Sequence, residues 1–262
     1  GNVVAHPDTA LKPRHLNRLG KDIHDFAKST RTTNSTDQTA HEDQNPKLPA
    51  PLSAKQQAKL NHRKEQSRRR AIQTTQQADR PLEPTNPNKS THGHGHSDHG
   101  WQTTEAQQSQ RIRDGITPGG RTDEQVAKVT HFHSPEAEAE ALGRARTKLN
   151  AALRLGSVPP FDPATGEPNR HKIVVETHRK DGFGSRVVKQ RDNSGTVLKD
   201  SSNKPLTETE RQQKIDPKTG TPMVDTDGQP IMEPVPMMHA TFIFEYVPSS
   251  GEWHPVTYYP QP

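Results

Sequence analysis

Four histidines crowd one short stretch, His92-Gly93-His94-Gly95-His96-Ser97-Asp98-His99. Imidazole has the ordinary pKa nearest neutrality, so it both takes and gives a proton. It also ligates transition metals. The glycines between these residues fix no rigid ligand spacing, and no acidic third ligand is held in place. Three readings therefore stand: a metal site, a polar loop with incidental histidines, or acid–base chemistry by one of them. His99 is the candidate proton carrier, because it sits just before Gly100-Trp101 on the loop that feeds a helix. Arg111 follows twelve residues later on that helix. A guanidinium beside an imidazole suits oxyanion or phosphate stabilisation, although an ordinary surface arginine is the plain alternative. Arg111-Ile112-Arg113 sends one basic side chain toward the core and one toward solvent. Near the C-terminus, Thr257 and Tyr259 share a strand face by simple alternation, together with Trp253. A hydroxyl and a phenol two residues apart can orient a phosphate or a base; a core tyrosine with a paired threonine is the alternative. His254 falls on the opposite face by the same alternation, so no second catalytic histidine is assigned.

The elements that must position these groups are read against an unusually polar chain of 262 residues. The apolar set makes up 26%, and glycine raises that to about 32%, against roughly 45–50% for an ordinary soluble domain. Proline is abundant (24) and aromatics are only 4%. Such a chain cannot bury enough apolar surface to order its whole length. One folded domain over residues 91–262, preceded by a basic linker or delivery segment over residues 1–90, is expected. No run of about 18 apolar residues exists to span a membrane, and no signal peptide is visible. Gly1-Asn2-Val3 is not a natural initiator, which suggests a piece of a larger polypeptide. Cysteine is absent, which excludes a disulfide scaffold, a thiolate zinc site and a cysteine nucleophile. Residues 1–90 hold 16 Lys/Arg and 9 Asp/Glu, a net of +7; the remainder holds 20 and 22, a net of −2. The basic half is drawn to polyanions.

Within the first segment, residues 13–28 carry a narrow stripe of Leu16, Leu19, Ile23 and Phe26. Residues 53–73 are helix-prone and very basic, with a mostly alanine apolar face, and are read as a transient helix. In the domain, residues 104–114 form a helix capped by Thr104 with Gln107 three residues on and Gly115 as the stop. A longer helix opens at Ser134-Pro135 with Glu136, Glu138 and Glu140 at its positive end, runs Leu142, Ala145, Leu149 and Leu153 along one face, and ends at Gly156. Residues 172–177 and 186–190 are short strands. Residues 192–236 read as a long polar loop. In it, Asp216-Pro217-Lys218-Thr219-Gly220-Thr221-Pro222 echoes Asp162-Pro163-Ala164-Thr165-Gly166-Glu167-Pro168, two copies of one turn. Residues 240–247, a loop at Pro248-Ser249-Ser250-Gly251, and residues 253–259 form a hairpin holding six of the eleven aromatics, the expected heart of the core.

Several of these pieces occur in a suggestive order. Gly93-His94 and His99 come first, then Arg111-Ile112 on a helix. Phe132-His133-Ser134-Pro135-Glu136-Ala137 opens the long helix, and Val256-Thr257-Tyr258-Tyr259-Pro260 closes the chain. In this the chain resembles the ribonuclease A-like toxin domains of bacterial contact-dependent inhibition and related polymorphic toxins. The resemblance covers about residues 92–160 and 238–262. The stretch from His99 to the arginine is one residue longer here, which sets Arg113 beside Arg111 as a match. The resemblance implies an α+β fold, with a small N-terminal helical part packed on a curved antiparallel sheet, here preceded by a largely disordered basic segment. It implies metal-independent RNA cleavage with no cofactor, and a catalytic set of His99, Arg111, Thr257 and Tyr259. It also implies delivery into the cytoplasm of a neighbouring cell, RNA (tRNA among the candidates) as target, a parent secretion polypeptide and a cognate immunity protein. An ADP-ribosyltransferase toxin using Glu245, and a non-catalytic binding module, are the competing classes.

Overall fold

The computed structural model describes residues 50–79, 93–123 and 125–262, and every element lies in one compact unit, Leu52–Pro262. The expected helix over residues 13–28, the basic segment up to residue 49 and His92 fall outside the described residues. The fold is α+β. In chain order the described elements are α1 (Ala54–Gln76), α2 (Gly95–His99), α3 (Glu105–Asp114), β1 (Lys128–Phe132), α4 (Pro135–Arg154), β2 (Arg170–Glu176), β3 (Gly184–Lys189), β4 (Thr207–Thr209), β5 (Arg211–Gln213), β6 (Met232–Pro234), β7 (His239–Val247) and β8 (Glu252–Gln261). All named strand pairs are antiparallel, in sheets ordered β2-β7-β8, β1-β3-β4 and β5-β6.

The hairpin β7–β8 dominates the core as its aromatic content requires. Phe242, Phe244, Tyr258 and Trp253 pack with Phe132 and Phe183, under Ala141, Ala145 and Leu149 of α4. Tyr258 stacks on Phe242 with ring centroids 4.9 Å apart. A second, smaller core of Ile112, Val129 and Val187 joins α3 to β1 and β3. The caps are those expected. Thr104 and Gln107 make a capping box on α3, Ser134 accepts from the Ala137 amide on α4, and Gly115 takes φ +73°, a left-handed turn that favours glycine. The two strands separated by Asp181-Gly182 do not pair with each other: β2 joins β7, while β3 joins β1.

Three expectations are corrected. First, the alternation along β8 breaks. The register slips between Ile243 and Phe244, so Thr257 faces Ile243 but Pro255 faces Phe244. Val256 is the extra residue of a β-bulge, which switches the buried face from Trp253 and Pro255 to Val256, Tyr258 and Pro260. Trp253 therefore shares no face with Thr257 and Tyr259, and His254 is not excluded by parity; its Nε2 instead lies 3.3 Å from Glu252. Second, the compact unit starts ahead of residue 91 and takes in α1. The sparse, mostly alanine seam of α1 suffices because its contacts are largely polar. Thr75 is fully buried and its hydroxyl accepts from the Trp101 indole at 3.0 Å, while Arg68 lies over that ring and pairs with Glu136 at 3.7 Å. Third, residues 192–236 are built rather than loose. Asp192, Asp200 and Asp225 each fold a turn by accepting backbone amides two and four residues on. Gln190, Leu198 and Leu206 hydrogen-bond in a closed backbone triangle, and Lys214, Met223 and Ile231 close a second one. Side-chain carboxylates and cyclic main-chain bonds satisfy this polar segment where apolar burial is scarce.

Candidate functional site

His99, Arg111, Thr257 and Tyr259 all line a single cleft of about 450 Å³. It opens where the two three-stranded sheets meet. The Thr130 hydroxyl of β1 donates to the Pro260 carbonyl of β8 at 2.5 Å and ties the sheets together there. His99 comes from α2, Arg111 from α3, and Thr257 and Tyr259 from β8 beyond the bulge, on its less buried face.

His99 is held in one orientation. Its Nδ1 lies 2.7 Å from the Thr130 carbonyl, which can only accept, so Nδ1 carries the proton and Nε2 presents a lone pair. Arg111 Nη1 lies 3.2 Å from that Nε2 and donates to it. Burial first, and the Arg111 charge beside it, together hold the His99 pKa down to about 4, with the hydrogen bond to Thr130 only partly opposing them. The imidazole is thus neutral at pH 7. The Tyr259 ring sits against it, centroids 5.7 Å apart and tilted by 46°. Arg111 is also 3.3 Å from Asp123, and its buried Nε has no hydrogen-bond partner among the described residues. Arg113 pairs instead with Asp200 at 2.6 Å, so of the two Arg111 lines the cleft.

The short helix α2 is anchored on three sides. Asp79, just past α1, accepts the His96 and Ser97 amides at 3.0 and 2.6 Å. The fully buried Glu138 of α4 accepts from Tyr258 Oη at 2.6 Å, from the Trp101 amide at 3.0 Å, and faces His96 Nδ1 at 2.7 Å. Burial acts to lower the His96 pKa, but Glu138 outweighs it and raises the value. Asp98 is fully buried and pairs with Arg121; burial pushes its pKa up, but Arg121 outweighs this and holds it below the usual carboxylate range. Gly95 lets α2 lie on the core, because a methyl group there would collide with the Tyr258 ring.

The histidine run therefore splits. His96 serves Glu138 and His99 faces the cleft. His94 precedes α2 without a side-chain cap bond, donates its amide to the Val256 carbonyl and lines the same cleft. Among the described residues, no group of three His, Cys, Asp or Glu side chains is arranged to hold a metal. Glu245 lies outside the cleft, in an ion pair with Arg170 at 2.7 Å. Lys128, Arg186 and the Thr130 carbonyl belong to the site and were not anticipated from sequence. The β-branched pair Val129-Thr130 is the signal that could have placed a strand there; the pairing of Arg186 with Glu210 has no local signature.

No family model, curated protein or solved structure matches the chain.

Proposed function

We propose that the domain is a toxin ribonuclease that cleaves RNA by transphosphorylation on its own 2′-hydroxyl, with no metal in the reaction. The observation that carries this reading is the His99 imidazole, fixed with Nε2 toward Arg111 and with Tyr259 against its ring. These groups occupy a cleft of nucleotide size. RNA brings its own nucleophile. His99 Nε2 takes the 2′-hydroxyl proton, the 2′-oxygen bonds to phosphorus, and the bond from phosphorus to the 5′-oxygen breaks. Tyr259 donates to the phosphoryl or departing oxygen, and Thr257 positions the phosphate or a base edge. Arg111 balances charge building on the phosphoryl oxygens. At rest Arg111 occupies the base's lone pair. An arriving phosphodiester draws the guanidinium away and raises the imidazole pKa, so the base strengthens as substrate binds.

The order of motifs shared with the ribonuclease A-like toxin domains supports the same reading, with RNA, tRNA among the candidates, as target and an immunity protein as partner. The test is expression in bacteria followed by gel and end-group analysis of total RNA, repeated in vitro with EDTA. Fragments ending in 2′,3′-cyclic phosphate, formed equally with chelator, are expected. Intact RNA, or cleavage lost on chelation, would contradict the proposal.

A further inference from the structure

The cleft accounts for one phosphate and its neighbours; the charge of the molecule lies elsewhere. Helix α1 carries seven basic residues and a single acid, Glu65, whereas residues 93–262 hold 20 basic and 22 acidic. Two of the seven are engaged: Arg68 pairs with Glu136 and Arg69 with Glu65. Lys64 is exposed on the side of Ala71 and Thr75; Lys55, Lys59, Arg63 and Arg70 are all exposed. At 3.6 residues per turn these four fall within an arc of about 80°, centred about 140° from the buried Ala71 and Thr75. They form one stripe along a helix that docks to the domain through its C-terminal turns, at Ala71 and Thr75, while its residues up to Arg70 are exposed apart from half-buried Leu60. Gln66 and Gln73 lie on the same arc, with no aliphatic or aromatic side chain among them. A membrane-binding face needs apolar residues beside its cations; this face suits a polar, hydrated polyanion.

The stripe also has a fixed relation to the cleft. Trp101, two residues after His99, is held by Thr75 and Arg68 at the C-terminal part of α1. Asp79, three residues past the helix, caps α2, the helix that carries His99. The end of α1 that carries Arg70 is thus the end tied to the helix of His99, and the stripe runs about 22 Å back from Arg70 to Lys55.

We infer that the exposed face of α1 is a second RNA-binding surface, which holds the phosphate backbone of a substrate strand outside the cleft and selects long RNA over short fragments. This rests on the ribonuclease reading for the nature of the strand, but not for the surface itself. Such binding is electrostatic, independent of sequence and steeply dependent on salt.

The test compares the full chain with its K55Q/K59Q/R63Q/R70Q variant, glutamine being a good helix former that removes only the charge. A K172Q/K180Q/R211Q/K218Q variant, which neutralises four exposed cations elsewhere, is the control for net charge. Binding of a 30-nucleotide single-stranded RNA is titrated against salt in a His99→Ala background. Cleavage of that RNA and of a dinucleotide is measured with His99 present. The helix variant is expected to lower the magnitude of the salt slope by up to about 3, at roughly 0.7 per lost phosphate contact. It should raise KM for the long RNA about tenfold or more and leave kcat/KM for the dinucleotide within about twofold. An unchanged slope, or an equal loss in the control variant, would overturn the inference. So would loss of binding to phosphatidylserine vesicles with RNA binding intact. Failure of the unmodified chain to cut the long RNA would instead overturn the ribonuclease reading, leaving the slope to decide on the surface.

Discussion

At the scale of single residues, the cleft assigns one proton and one lone pair. The Thr130 carbonyl fixes which nitrogen of His99 is basic, and burial keeps it unprotonated far below its ordinary range. The pH profile follows. The acid limb of kcat/KM, which reports the free enzyme, should fall with a midpoint near 4 rather than 6.5. A midpoint near 6.5 would show that His99 titrates as an exposed imidazole. His99→Ala should abolish RNA cleavage, a loss of at least 10²–10⁴-fold on the general scale of proton-transfer catalysis, with the circular dichroism spectrum retained. Tyr259→Phe should also abolish it. Arg111→Gln should cost about 10²–10³-fold in kcat and move the acid limb upward, because removing the guanidinium removes one of the influences that depress His99.

At the scale of elements, α2 has only five residues and is held mainly by what surrounds it. Glu138 is the keystone, since Tyr258, His96 and Trp101 all direct a hydrogen-bonding atom at it. Glu138→Gln leaves buried donors short of acceptors, at a cost of about 2 kcal/mol or a Tm lowered by roughly 4–8 °C. It should also reduce kcat by letting α2, and His99 with it, shift. Differential scanning calorimetry and a kcat measurement on the same protein check both effects. Gly95→Ala should act the same way through the Tyr258 ring. The helix α3 is braced from its other side: Ser109 and Arg113, about 200° around the helix from Arg111, bond to Thr207 and Asp200 of the polar segment 192–236. That polar segment was the least legible part of the sequence. Its turns announce themselves through Asp and Gly, but closed triangles of backbone bonds leave no side-chain pattern to find. The capped helices α3 and α4 and the aromatic hairpin were plain, because capping and strand alternation are local signals. The bulge at Val256 was hidden for the complementary reason. It appears only in the pairing of β8 with β7, and it decides which face Thr257 shares.

At the scale of the whole molecule, buried imidazoles tie stability to pH. A histidine whose pKa is lowered by folding contributes stability present above its unfolded value and lost as pH falls toward the folded one. For His99 that window runs from 6.5 down to about 4, and the loss is on the order of 3 kcal/mol. His94 and His131, lowered chiefly by burial, act in the same direction, while the raised His96 acts in the opposite one. The Tm should therefore fall between pH 6.5 and 4, and the fall should be shallower in His99→Ala; an equal slope in the two proteins would remove His99 from this linkage. The convergence of His99 and Arg111 with a strand more than 140 residues away was legible only as an order of motifs. The Thr130 carbonyl and the cations Lys128 and Arg186 were not, since they enter the cleft through pairing of β1 with β3. The most direct test of the cleft's chemistry is a defined RNA carrying a single 2′-deoxy nucleotide at a mapped cleavage position, incubated with the full chain. Transphosphorylation predicts that this one bond stays intact while its neighbours are cut to 2′,3′-cyclic phosphate ends. Cleavage at the deoxy position, or products ending in 5′-phosphate, would contradict it.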